Sequence, residues 1–246
     1  MMSFKGVAYL TSRWIRRQPI WIIQSILYML GFTVIMYFWG GAEGLRNMVV
    51  AWLIMSGWNT GINVISQDIG WNRISRILFM YIASPLTPFS YILGVFLSGM
   101  IFLLAGVAAI GTIAVIMGFL KELVIGLLVS MPLTFISILV GITIVMRLRE
   151  GTNVSAVTNP ISSIFSVLPP VLYPANIIPE TIKLGLITIP LRKIALLVPT
   201  VSAAEIARQL SGICVSEPLW YVIAVFIFWV VVSIVLAKKT LKWGHE

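Results

Sequence analysis

Two stretches of this chain carry amide and hydroxyl side chains at helical spacing inside otherwise apolar sequence. Ser56, Asn59, Thr60, Asn63 and Ser66 return every three or four residues in the first, and Ser155, Asn159, Ser162, Ser163 and Ser166 do so in the second. At that spacing each set falls on one face of a helix. Neutral donors and acceptors facing lipid would be costly, so the two faces must turn toward protein or toward a water-accessible path. Hydrogen bonding between helices would use the same residues, and spacing alone leaves both roles open. The residues expected to line such a path are Ser56, Asn59, Asn63, Ser155, Asn159, Ser162 and Ser166.

A third set carries charge. Asp68, Asn72 and Arg76 recur every four residues, flanked by Arg73 and Ser75 and opposite Ile74, Ile77, Leu78 and Tyr81. This pattern predicts an amphipathic helix over 67–83, with a polar stripe offered to something outside it. Ser84-Pro85-Leu86-Thr87-Pro88 should end it and restart the chain.

Other chemistry is missing. The lone histidine is His245, no Gly-x-x-x-x-Gly-Lys phosphate loop occurs, and the lone cysteine, Cys214, excludes an internal disulfide and a cysteine metal site. Cys214 is expected to be a free thiol, with a bridge across a dimer as the alternative. No catalytic residue, metal or cofactor is therefore expected on this chain. Proton- and sodium-driven carriers usually hold an intramembrane carboxylate, and none of the eight acidic residues falls in the middle of an apolar run.

The elements that position these residues follow from composition. Hydrophobic residues make up 59% of the 246 and charged residues 10%. Six runs have about the 20 apolar residues a spanning helix needs: Ile20–Trp39, Met48–Ser66, Phe89–Met117, Leu123–Met146, Val154–Tyr173 and Leu219–Ala237. The expected fold is an all-α polytopic membrane protein of six transmembrane helices in one domain over 1–246. Short connections at Gly40–Asn47 and Gly118–Glu122 make antiparallel neighbours of the first two spans and of the third and fourth. Residues 3–17 predict a helix lying on the membrane, with Phe4, Val7, Ala8, Trp14 and Ile15 on one face and Lys5, Ser12, Arg13 and Arg16 on the other, suited to anionic lipid. Residues 174–218, interrupted by Pro179, Pro190 and Pro199, predict short re-entrant helices at Glu180–Leu186 and Val201–Leu210, the second capped by Thr200 or Ser202.

The net charge of +9 could suggest nucleic acid, but its distribution argues for a membrane. If the spans alternate from a cytoplasmic N-terminus, 11 of the 17 bases and three of the eight acids lie inside, giving +8 against +1 outside. That asymmetry places both termini in the cytoplasm of a plasma-membrane protein.

Two longer stretches resemble the type-2 membrane subunit of ATP-binding-cassette exporters. Gln67-Asp68-Ile69-Gly70, then Ala83-Ser84-Pro85-Leu86-Thr87-Pro88 and Tyr91-Ile92-Leu93-Gly94, are similar to that family's sequence around its coupling helix. Tyr173-Pro174, Ile178-Pro179-Glu180, Val198-Pro199-Thr200 and Ala204-Glu205-Ile206-Ala207-Arg208 are similar to its outer re-entrant element. Asp68 stands alone where the family often has a longer acid-base cluster, and Val198-Pro199 stands where it often has Asn-Pro. The resemblance implies a homodimer or heterodimer of permease subunits, each bound to a separate ATPase that holds ATP and Mg. It further implies that Asp68, Asn72, Arg73 and Arg76 contact that ATPase and that spans two and five line the path. A hydrophobic or amphipathic cargo is expected. A passive channel, a secondary carrier and a membrane scaffold are the competing readings.

Overall fold

The computed structural model describes residues 4–11, 20–148, 152–167, 169–184 and 187–240. Apart from one short hairpin, its regular structure is helical: α1 (Phe4–Thr11), α2 (Ile20–Asn59), a π-helix (Thr60–Ile65), α3 (Ser66–Ile74), α4 (Ile77–Ile82), α5 (Pro88–Met117), α6 (Leu120–Val145) and α7 (Thr152–Ser166). There follow a 3-10 turn (Ala175–Ile177), strands β1 (Ile182–Leu184) and β2 (Ile187–Ile189), α8 (Leu191–Leu196), α9 (Pro199–Ser211) and α10 (Leu219–Thr240). Among the described residues, Ile22–Ile74, Leu120–Val145 and Leu219–Thr240 are long and apolar enough to cross a membrane. Pro88–Leu104 and Gly106–Met117, bent by 43° at their junction, would together make a fourth. An all-helical chain with apolar helices of this length is consistent with a membrane protein.

The predicted loop Gly40–Asn47 is helix on both sides of a single break at Gly41 (φ 56°, ψ −137°). Eight residues of unbroken helix would separate Met36 and Gly44 by about 12 Å, yet a Cβ on Gly44 would lie 2.1 Å from the Met36 carbonyl oxygen. The chain therefore doubles back at Gly41, and Met29, Phe32 and Met36 of the first arm cluster with Met48, Val49 and Trp52 of the second. Gly118 (φ 78°) ends α5, leaving only Gly118 and Phe119 as the connection to α6.

α6 is the central helix. Its residues Leu133, Ile136, Leu139 and Ile142 are buried, and α2, the π-helix, α9 and α10 all pack on it. Lipid tails are as apolar as these side chains, so close backbone approach must supply much of the attraction. Glycines permit it. A Cβ on Gly61 would sit 1.7 Å from Ser137 Oγ, and one on Gly141 would sit 1.7 Å from Ser66 Oγ, so the two helices interlock reciprocally.

Several expectations need correction. The single helix over 67–83 is two, because α3 stops at Ile74 and Arg76 adopts left-handed geometry (φ 64°) before α4. The fifth predicted span, Val154–Tyr173, is helical only to Ser166; Pro169 and Pro170 have no N–H to continue it. Within the helix expected at Glu180–Leu186, Ile182–Leu184 instead form β1, paired antiparallel with β2 with Ile182 opposite Ile189, as β-branched residues favour; Gly185 and Leu186 lie outside the described residues. The helix expected at Val201–Leu210 falls within α9, but Val198 is its N-cap and Pro199 its first residue. Thr200 instead donates its hydroxyl to the Phe165 carbonyl. Within the helix expected at 3–17, Val7 and Ala8 turn into the protein, where Val7 joins Leu86, Tyr91 and Val95. Trp14, Ile15, Ser12, Arg13 and Arg16 lie outside the described residues. Ser84–Pro88 does separate α4 from α5, and Thr87 accepts from Ser90 N–H (3.2 Å) to cap α5, with Pro88 at its first position.

Candidate functional site

The polar residues of α2 and α7 meet across one interface. Asn63 Nδ2 donates to Asn59 Oδ1 (2.6 Å), and Ser162 Oγ donates to the same oxygen (3.1 Å). Gln67 Nε2 donates to Thr158 Oγ1 (2.8 Å) and to Asn159 Oδ1 (3.0 Å). The π-helix lies in the middle of this arrangement. It is held by Ser66 Oγ donating to Gly61 O (2.6 Å). Trp58, stacked on Phe165 with ring centroids 5.3 Å apart, closes the protein side.

The predicted path residues divide. Asn59 and Asn159 are exposed, Asn63 and Ser155 are half-buried, and Ser162 is buried behind them. Ser56 points elsewhere, toward α5, where a Cβ on Gly106 would be 3.6 Å from its hydroxyl. Ser166 is buried and bonds back to Ser162 O (2.6 Å). Gln67 and Thr158 belong to the cluster although neither was singled out with the two stripes; both continue the three- and four-residue spacing. The exposed face of α7 reads Asn153, Ala156, Asn159, Pro160 and Ser163, an unusually polar surface beside apolar helices.

The charged set separates at the α3–α4 break. Asn72 Nδ2 donates to Asp68 Oδ2 (3.0 Å), keeping two of the predicted stripe together. Arg73 turns inward and donates to the carbonyls of Val145 (3.2 Å) and Leu148 (2.7 Å), where it caps the end of α6. Arg76 is exposed at the turn.

A buried charged knot went unrecognised as a unit in the sequence. Arg208 Nη1 donates to Glu205 Oε1 (2.7 Å), and both side chains are 0% exposed. The same Glu205 oxygen accepts Ala175 N–H (3.0 Å), and Oε2 accepts from Ser216 Oγ (2.5 Å). Arg208 also donates to Asn47 Oδ1 (2.7 Å) and to the carbonyls of Pro170 and Val171. Beside it, Arg46 Nε donates to the buried Glu122 (2.6 Å), while Arg46 and Lys121 each reach Ser211 O at 3.1 Å. The opposite charges three apart in a small-residue helix were the available signal. Around the Arg208–Glu205 pair within α9, these bonds tie α9 to the 169–175 turn, to Ser216, to α2 and to α6, and Arg46–Glu122 ties α2 to α6, so the knot fastens elements together. Cys214, next to it, has its thiol pushed up to about 11 by burial and then by the negative charge of Glu205.

Among the described residues, no three His, Cys, Asp or Glu side chains gather where they could hold a metal ion. The site thus belongs to an all-helical chain with helices of membrane-crossing length, a neutral amide face and a separate charged turn. Neither the protein-family models nor the curated proteins compared with this chain give a match.

Proposed function

We propose that this chain is the membrane-spanning subunit of an exporter driven by a separate ATPase, which holds the ATP and Mg. Its cargo is hydrophobic or amphipathic. In this reading six segments cross a plasma membrane, counting both arms of α2 and the short α7 extended by the 169–173 turn. Both termini are cytoplasmic, α1 lies at the inner surface against lipid, and residues 174–218 lie at the outer face. The charge asymmetry of +8 against +1 supports this orientation.

The observation that carries the reading is the set of exposed amides formed by Asn59 at the end of α2 and by Asn153 and Asn159 on α7. Hydrocarbon does not satisfy amides, so such a face calls for a second permease subunit and the path between the two. The turn at Arg76 supports the other half of the reading. A non-glycine residue held at φ 64° costs about 1–2 kcal/mol, and such strain collects at contact and switch sites. With Asp68 and Asn72 it forms the face offered to the ATPase; Arg73 braces that face from within.

A photo-crosslinker placed at Arg76 tests this. It should capture an ATP-binding polypeptide in native membranes, whereas the same crosslinker at Ile164 on α7 should not. Capture at neither position, or equally at both, would reject the coupling role.

A further inference from the structure

The amide cluster has hydrogen-bonding capacity left over, and that remainder defines a ligand. Asn59 Oδ1 is occupied by Asn63 and Ser162, and Asn159 Oδ1 by Gln67. Among the described residues the amide N–H groups of Asn59 and Asn159 donate to nothing, and both side chains are exposed. Asn63 Oδ1 is buried and lacks a partner. Two donors therefore remain on one exposed patch, with an unpaired acceptor buried behind it. Charge is absent from the surrounding sequence, with no Asp, Glu, Lys or Arg from Asn47 to Gln67 or from Thr152 to Pro179. An ion brought here would lose its hydration with no counter-charge to replace it, whereas a hydroxyl or amide would need only the hydrogen bonds on offer. One to two turns beyond Asn159, Ile164 on α7 and Val167 just past its end are apolar and exposed, at 50% and 47%.

We infer that Asn59 and Asn159, with Asn63 behind them, form a binding site for the uncharged, hydroxyl- or amide-bearing head of an amphipathic molecule, whose apolar body extends past Asn159 toward Ile164 and Val167. The inference rests on the exporter reading for its cargo and narrows that cargo to neutral head groups.

The test needs neither nucleotide nor a partner, so its outcome is independent of whether an ATPase is bound. The full-length chain carrying Cys214→Ser and the reporter Ala156→Cys, an exposed position next to the site, is reconstituted in lipid nanodiscs. Maleimide labelling is followed with decyl maltoside, decyl sulfate or decyltrimethylammonium at equal membrane content. Decyl maltoside should slow labelling by about tenfold and the two charged amphiphiles should not. Adding Asn59→Leu and Asn159→Leu should remove the protection, with circular dichroism showing the helices retained. Equal protection by all three amphiphiles, protection that survives the leucine pair, or no protection at all would overturn the site. A reporter that never labels would show the face covered by protein and would overturn it too. An exporter that fails to retain an ATPase while keeping this selectivity would reject the exporter reading and leave the site standing.

Discussion

Removing one member of a buried ion pair leaves the other charged and unpartnered, so Arg208→Ala should cost about 3–5 kcal/mol. Glu205 would then keep only Ala175 N–H and Ser216 Oγ as hydrogen-bond donors. The paired change Glu205→Leu with Arg208→Met should recover most of that loss, since well-packed apolar substitutes remove both desolvation penalties together. Thermal unfolding in mild detergent measures both, and a double variant as weak as Arg208→Ala would argue against the pair as the cause. Cys214 provides a second check at this scale. Its thiol is pushed up to about 11 from an ordinary 9.0, and the thiolate is the reactive form. Between pH 7 and 8.5, below both values, maleimide should react with it about a hundredfold more slowly than with a free thiol. The rate should keep climbing with pH beyond 9, where a free thiol levels off. A plateau near pH 9 would contradict the burial and the influence of Glu205.

Helix contacts in this chain turn on single atoms. Gly141→Ala should destabilise it by about 1–3 kcal/mol through overpacking, because the new Cβ would lie 1.7 Å from Ser66 Oγ and 2.6 Å from its Cβ. Ser66→Gly in the same chain should restore much of the stability, since the next nearest atom, Gly61 O, is 3.5 Å away. Gly61→Ala should not be rescued by Ser137→Gly, because the Ile138 backbone nitrogen still lies 2.7 Å from the Cβ position. Detergent melting curves of the four variants decide it, and rescue of both glycines or of neither would contradict the interlock. These contacts mark the limit of what was legible in the sequence. Apolar length and proline placement located α5, α6, α9 and α10 closely. Gly57 and Gly61, spaced as a small-residue packing pair, both pack on α6. The π-helix was hidden because its composition is that of any apolar helix, and only packing against Ser137 and Gly141 selects its turn. The break at Arg76 was hidden because the four-residue period runs straight through it. In the cluster, Asn59, Asn63, Asn159 and Ser162 were legible from spacing, while Ser56 and Ser166 share that spacing, yet Ser56 lies against α5 and Ser166 bonds back to Ser162 O. Period reports which face a residue is on, and rotamers decide what it meets.

For the molecule as a whole, the proposed orientation puts Arg76 and Lys183 on opposite sides of a membrane. Both are exposed, so in a chain lacking Cys214 an impermeant thiol reagent should label Lys183→Cys from outside intact cells. Arg76→Cys should label only after the membrane is opened. Labelling of both from one side would refute the orientation. The central claim, that a separate ATPase drives this chain, is tested most directly by ATP hydrolysis in the complex. Full-length chain purified from its own membranes in mild detergent should retain vanadate-sensitive ATP hydrolysis. Arg76→Glu, changing an exposed side chain at the α3–α4 turn, should lower that activity by about tenfold or more through loss of the docked ATPase while the yield of folded chain stays the same. Folded chain that retains no ATP hydrolysis, or hydrolysis indifferent to Arg76→Glu, would contradict it.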